Sequence, residues 1–133
     1  MFMREILFRG KRLYDGEWIE GNLFIPDLPD TPTQICMGTN VVRISYDVDP
    51  KTIGQSTGLY DKNGKKIFEG DIIQGTIVSA WNKELIRCEI VYNKDAFISV
   101  ERKRNQDWVH KVKFAKDIEV IGNIYDNPEL LGE

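Results

Sequence analysis

Apolar and polar positions alternate with a period of two along most of the chain, and turn signals interrupt that alternation about every eight to twelve residues. Between the turns the segments are rich in Ile, Val, Phe, Tyr and Trp, which suit a pleated, half-buried surface. The pattern predicts a mainly β protein with little helix. Arg12-Leu13-Tyr14, Asp15-Gly16 and Glu17-Trp18-Ile19 read as a hairpin with a tight primed turn, because glycine takes positive φ freely. The strand over 19–25 runs into Pro26-Asp27-Leu28-Pro29-Asp30-Thr31-Pro32, where three prolines remove backbone donors and predict an exposed loop. Short strands follow over 35–37 and 41–46, the second with Val42, Ile44 and Tyr46 on one face; Asp49-Pro50 stops it. Residues 52–59, with two glycines and small polar side chains, read as an ordered irregular connection. Asp61-Lys62-Asn63-Gly64 reads as a type I turn with Gly64 as a left-handed bulge residue.

The second half alternates more cleanly. Ile86, Cys88, Ile90 and Tyr92 fall on one side of a strand, with charged Arg87 and Glu89 on the other. Trp108, Val112 and Phe114 form a second inward row, and Ile118, Val120 and Ile124 a third. Five strands near 71–78, 85–92, 96–101, 108–114 and 118–125 suit a small closed barrel, which removes sheet edges. Asn127-Pro128-Glu129-Leu130-Leu131 reads as a single helical turn with Asn127 as cap and Pro128 in first position. The expected organisation is an N-terminal β-hairpin region over 1–58 and a small barrel over 59–133, packed as one unit.

Composition narrows the functional classes. Of 133 residues, 41% are apolar and 29% charged, an ordinary globular balance with no disordered or fibrous bias. Eighteen basic against 21 acidic residues give a net charge of −3, which disfavours broad duplex affinity but not a local basic patch. No apolar run approaches the roughly 18–20 residues needed to span a bilayer, and Met1-Phe2-Met3-Arg4-Glu5 lacks a signal-peptide layout. A cytoplasmic location without membrane contact is expected. Cys36 and Cys88 are the only cysteines and His110 the only histidine, too few for a structural zinc site. Two free thiols serving as small hydrophobes are expected rather than a disulfide.

The chain carries no Gly-x-Gly-x-x-Gly, phosphate loop, Gly-x-Ser-x-Gly elbow or His-Glu-x-x-His, so no cofactor and no catalytic residue is assigned. Asp61-x-Asn63 opens like a calcium loop, but Lys65 and Ile72 occupy positions that need oxygen ligands, and a plain turn is the better reading. His110 falls in phase with Trp108, as a hydrogen-bonded core residue does, and nothing nearby orients it as an acid–base group. Glu69 and Asp71 flank Gly70; a carboxylate pair would support hydrolysis, whereas surface solvation on one strand face accounts for both. Trp18 and Trp81 are read as core rather than as interface anchors. The most distinctive charge feature is the hairpin with Arg102, Lys103, Arg104 and Trp108, three cations beside an aromatic, the chemistry that single-stranded nucleic acid uses. Bracketing Glu101 and Asp107 favour a solvated turn instead. Around the proline loop, Leu7, Trp18, Leu23, Phe24 and Ile25 exceed what a barrel flank buries, and such surplus predicts a homo-oligomer.

Three stretches go beyond generic β sequence: Arg4-Glu5-Ile6-Leu7-Phe8-Arg9-Gly10; Ile53-Gly54-Gln55-Ser56-Thr57-Gly58-Leu59-Tyr60-Asp61-Lys62-Asn63-Gly64-Lys65-Lys66-Ile67-Phe68-Glu69-Gly70-Asp71-Ile72-Ile73; and Ile118-Glu119-Val120-Ile121-Gly122-Asn123-Ile124-Tyr125-Asp126-Asn127-Pro128-Glu129-Leu130-Leu131. Together, in this order and across essentially the whole chain, they resemble the YopX family, small proteins of bacteriophages and bacterial prophage regions. Ser56 departs from the aromatic or alkyl residue usual there. The resemblance implies an SH3-like barrel in the C-terminal half and self-association into a multi-chain assembly, inside the bacterial host cell. It implies no biochemical activity and transfers no catalytic residue. Read physically, Gly54, Gly58, Gly64 and Gly70 suit special backbone angles, and Ile67, Phe68, Ile72 and Ile73 supply core. The expected protein is a non-enzymatic, oligomeric binding module with a host or phage protein partner; the alternative is a weak single-stranded nucleic-acid accessory.

Overall fold

The computed structural model describes residues 6–39, 41–78, 80–93, 96–103, 106–110 and 116–132, without the side chains of 103, 106–108, 110 and 116. As expected, the protein is mainly β. Its strands are β1 (Phe8–Lys11), β2 (Trp18–Phe24), β3 (Gln34–Gly38), β4 (Arg43–Asp47), β5 (Gly54–Tyr60), β6 (Lys66–Phe68), β7 (Asp71–Val78), β8 (Lys83–Asn93), β9 (Ala96–Lys103), β10 (Gln106–His110) and β11 (Lys116–Asn123). Two 3₁₀ turns, Pro50–Thr52 and Pro128–Leu130, are the helical elements among the described residues. The chain divides into two compact units between Gly58 and Leu59.

In the first unit the strands lie in the order β4-β3-β2-β1-β5, antiparallel at every register recorded. The end of β4 returns to β1: Arg12 bridges Val48, the Leu13 N–H donates to the Asp47 carbonyl at 2.9 Å, and the Asp49 N–H donates to the Lys11 carbonyl at 2.9 Å. Ile35 and Val48 are fully buried there. Gly10 sits against them, since a Cβ would meet Val48 Cβ at 3.3 Å and Ile35 Cδ1 at 3.5 Å. Glycine is required more strictly at 38, where φ is +118° and a Cβ would meet the Val42 carbonyl oxygen at 2.1 Å.

In the second unit five antiparallel strands follow the order β10-β9-β8-β7-β11. Ile67, Ile73, Ile86, Cys88 and Ile90 form its buried cluster, flanked by Ile77, Phe97, Ile118 and Val120. The strands expected at 71–78, 85–92 and 96–101 are present with small changes of boundary, and Ile86, Cys88 and Ile90 of the inward row are buried as alternation requires, whereas Tyr92, at its end, is 46% exposed. Phe68 and Ile72 are buried too. Of the expected SH3-like barrel, this strand order is what the structure establishes; Val112 and Phe114 lie outside the described residues. Both thiols are free, and burial, with the nearby Glu101 charge, pushes the Cys88 thiol up to about 12. Cys88 therefore behaves as a small core hydrophobe.

Several local expectations are corrected. Residues 54–60 are a strand rather than an irregular connection: Gly54 pairs with Arg9 and Gln55 with Phe8, and the buried Ser56 accepts the Gly58 N–H at 3.2 Å. Gly54 has no positive φ, while Gly58, Gly64 and Gly70 do, at +82°, +82° and +91°. The Asp15-Gly16 turn is longer than a two-residue primed turn. Arg12 pairs with Glu17 across four residues, and the Asp15 carboxylate takes both the Glu17 N–H and the Arg12 guanidinium. That guanidinium bond is the main reason Asp15 titrates below its ordinary value, against the opposing effect of burial. Asn127 holds the cap position before Pro128 as expected, but its side chain makes no bond to the turn; its Oδ1 accepts the Asn123 N–H at 3.3 Å, over Gly122, which leaves no room for a Cβ there. Trp81 is 95% exposed rather than core.

Candidate functional site

The hairpin residues singled out from sequence are only partly described. Arg102 is exposed on β9, and its Nη2 lies 3.1 Å from Glu89 Oε1 across the strand pair. Lys103 pairs with Gln106, and Trp108 pairs with Glu101, along the β9–β10 ladder. Arg104 lies outside the described residues, as do the side chains of Lys103, Trp108 and His110. The one footprint residue whose side chain is described is thus engaged with a carboxylate, an exposed pair of small energetic worth that nevertheless competes with phosphate.

The carboxylates also take different positions from those expected. Asp71 is 1% exposed, and its Oδ2 accepts the Phe68 N–H at 2.7 Å, closing the turn from β6 to β7; Glu69 lies in that turn rather than on a shared strand face. Asp61 does begin a turn with Gly64 at positive φ: the Gly64 N–H donates to the Asp61 carbonyl at 3.0 Å. Its carboxylate is a structural hub. Oδ1 accepts the Asn63 and Lys65 N–H groups, each at 2.9 Å, and Oδ2 accepts the Val120 N–H of β11 at 3.0 Å. Burial pushes this carboxyl up, but the backbone donors of Val120, Lys65 and Asn63 outweigh it and hold it below its ordinary value. Three backbone donors converge on it, as in a plain turn tied to a neighbouring strand. Among the described residues no three His, Cys, Asp or Glu side chains gather as metal ligands.

What the first unit offers instead is a surface. Alternate residues of a strand share a face, and so do residues paired across a ladder. Leu23 pairs with Ile35, Ile35 with Tyr46, and Met37 with Ile44. One face of β2, β3 and β4 therefore reads Leu23, Ile25, Ile35, Met37, Val42, Ile44 and Tyr46, while Asn22, Gln34, Cys36, Arg43, Ser45 and Asp47 occupy the other. The shared face of Val42, Ile44 and Tyr46 is as the alternation predicts. Its Ile35 end is sealed, but Met37, Ile44 and Val42 are 40%, 51% and 61% exposed. Ile25, Leu28 and Phe24 are exposed nearby, whereas Leu7, Trp18 and Leu23 are half-buried. Trp18 lies under two cations, with the Arg9 guanidinium 4.6 Å and the Lys11 ammonium 5.4 Å from its ring centroid. A row of exposed aliphatic side chains on one sheet face has desolvation energy to release when it is covered.

The arrangement is that of a small two-unit, mainly β protein. The family model for YopX protein matches residues 7–132, nearly the whole length, and the chain belongs to that family. Among solved structures it is similar to the crystal structure of protein EF1440 from Enterococcus faecalis, at 27% identity and a TM-score of 0.58, covering 97% of this chain and 99% of that one. No curated protein matches it. Among the described residues no helix is long and apolar enough to cross a membrane.

Proposed function

We propose that this is a phage- or prophage-derived protein of the bacterial cytoplasm that works by binding rather than catalysis, as a homo-oligomer. The observation that carries the reading is the exposed aliphatic row Met37, Val42 and Ile44 on a sheet face whose other end is sealed core. Contiguous exposed apolar surface on a small soluble chain marks an interface, and a symmetric homo-oligomer is its most economical cover. Family membership agrees with this reading and supplies no activity against it.

Light scattering from micromolar to hundred-micromolar concentration tests the proposal. A mass at an integral multiple of 15.4 kDa is expected, and a mass of 15.4 kDa throughout overturns it. Retention of a labelled single strand at low salt tests the alternative through Arg102, Lys103, Arg104 and Trp108. The binding-module reading expects none, because Arg102 already faces Glu89 and the chain carries net charge −3. Strong retention lost on replacing the three cations with Ser would favour the nucleic-acid reading.

A further inference from the structure

The oligomer reading leaves open which surfaces meet, and the backbone of β4 points to one arrangement. β4 is the last strand in its sheet. The Val48 N–H donates to the Thr33 carbonyl at 3.0 Å and the Thr39 N–H to the Val42 carbonyl at 2.7 Å, which fixes the phase of the β3–β4 ladder. Hydrogen-bonded pairs recur at every second position. Ile44 and Tyr46 therefore turn their backbone groups toward β3, and Arg43, Ser45 and Asp47 turn theirs outward. The outward Asp47 carbonyl is already taken by Leu13. Among the described residues, the outward backbone groups of Arg43 and Ser45 have no strand beside them.

We propose that two copies of this chain join edge to edge through β4, antiparallel about a two-fold axis at Ile44. This rests on the homo-oligomer reading and specifies its interface. Arg43 of each copy pairs with Ser45 of the other, completing both pairs of outward backbone groups, and Ile44 meets Ile44. Other registers fail for stated reasons: centring on Ser45 needs the Asp47 carbonyl that Leu13 holds, and centring on Arg43 needs the turn residues 41 and 42 as strand.

The side chains along this edge are self-complementary. Val41 and Val42, 91% and 61% exposed, lie at its start; Leu13 and Tyr14, 58% and 95% exposed, lie beside its end. Antiparallel pairing brings each start to the other copy's end. There a notch of about 450 Å³ lined by Arg12, Leu13, Tyr14, Ser45, Tyr46 and Asp47 receives the valines. On the opposite face Arg43 of one copy lies diagonal both to Asp47 and to Arg43 of the other, each roughly 7–8 Å away, so two opposite-charge contacts, Arg43 to Asp47 in each direction, outnumber the one like-charge contact at the axis. Within one chain these two residues are four strand positions, about 13 Å, apart, so any coupling between them is between copies.

The test exploits that geometry with Arg43→Asp and Asp47→Arg. Alone, each variant brings like charges together across the axis and is expected to raise the dissociation constant at least about tenfold, halving the mass by light scattering at low micromolar concentration. Mixed one to one, every diagonal charge pair across the axis is of opposite sign, the pair formed by the two copies of position 43 included, and native mass spectrometry is expected to show mixed dimers in preference to either pure one. Ser45→Pro supplies a second line: it removes an outward N–H without touching the β3 ladder, so dissociation with an unchanged circular dichroism spectrum is expected. If the wild type associates but the charge variants alone keep its mass, the mixture shows no preference, or Ser45→Pro assembles normally, this interface is wrong while the oligomer reading stands. A wild type that stays at 15.4 kDa defeats both.

Discussion

Asp61→Ala is expected to destabilise the second unit by about 4 kcal/mol in urea denaturation, beyond the range of most single substitutions. Three backbone donors, from Asn63, Lys65 and Val120, lose their common acceptor at once, and two of them hold the turn while the third holds β11. The Lys62 N–H bond to the Ile118 carbonyl, at 2.9 Å, depends on the same turn. Asp61→Asn keeps one acceptor oxygen and is expected to cost about half as much. The loss is pH-dependent. Because the folded-state carboxyl titrates below its ordinary 3.8, its contribution is fully present above that value and disappears as pH falls through the lower, folded one. The gap between wild type and Asp61→Ala should therefore narrow in that acid range and stay constant above it. A cost below about 1 kcal/mol at neutral pH would mean that water replaces the carboxylate without loss.

Ile90→Ala is expected to cost about 4 kcal/mol, and Ile90→Val about 1 kcal/mol, by the same measurement. Ile90 is fully buried on β8, in the cluster with Ile67, Ile73, Ile86 and Cys88, and the carbonyl of the same residue accepts the Gly70 N–H at 2.9 Å. Removing its branched chain leaves a cavity that neighbours on four strands cannot all move to fill. By contrast, Arg87 is exposed on the other face of β8, where its Nε donates to the Gln74 side chain, and Arg87→Ala should stay within about 0.5 kcal/mol. Equal costs at 87 and 90 would contradict the assignment of faces.

How far the sequence speaks depends on whether the deciding interaction is local. The Asp61–Gly64 turn was legible because its chemistry lies within four residues, and β7 to β9 were legible because alternation survives wherever one face is core. Residues 54–60 read as irregular because Gly54 and Gly58 have poor strand propensity and interrupt the alternation, and pairing with β1 overrides it. Asp71 looked solvated because nothing local announces a carboxylate that folds back onto the Phe68 N–H. The Asp61–Val120 bond joins residues 59 positions apart, beyond any local pattern. Trp81 looked like core because aromatic size argues for burial, but it falls beside the turn between β7 and β8, where the strands offer no inner face. The candidate surface was half visible: alternation placed Val42, Ile44 and Tyr46 together, but only the ladder with β3 shows which end of that face is sealed and which backbone groups face outward.

The central claim is that copies of this chain meet through the open apolar face and edge of the first sheet. Sedimentation equilibrium of wild type and Ile44→Asp, side by side at equal concentration, tests it most directly, because Ile44 is half exposed and its loss removes no sealed core. A wild-type mass at a multiple of 15.4 kDa is expected, with a smaller mass for Ile44→Asp and an unchanged circular dichroism spectrum. Equal masses for the two proteins would contradict it.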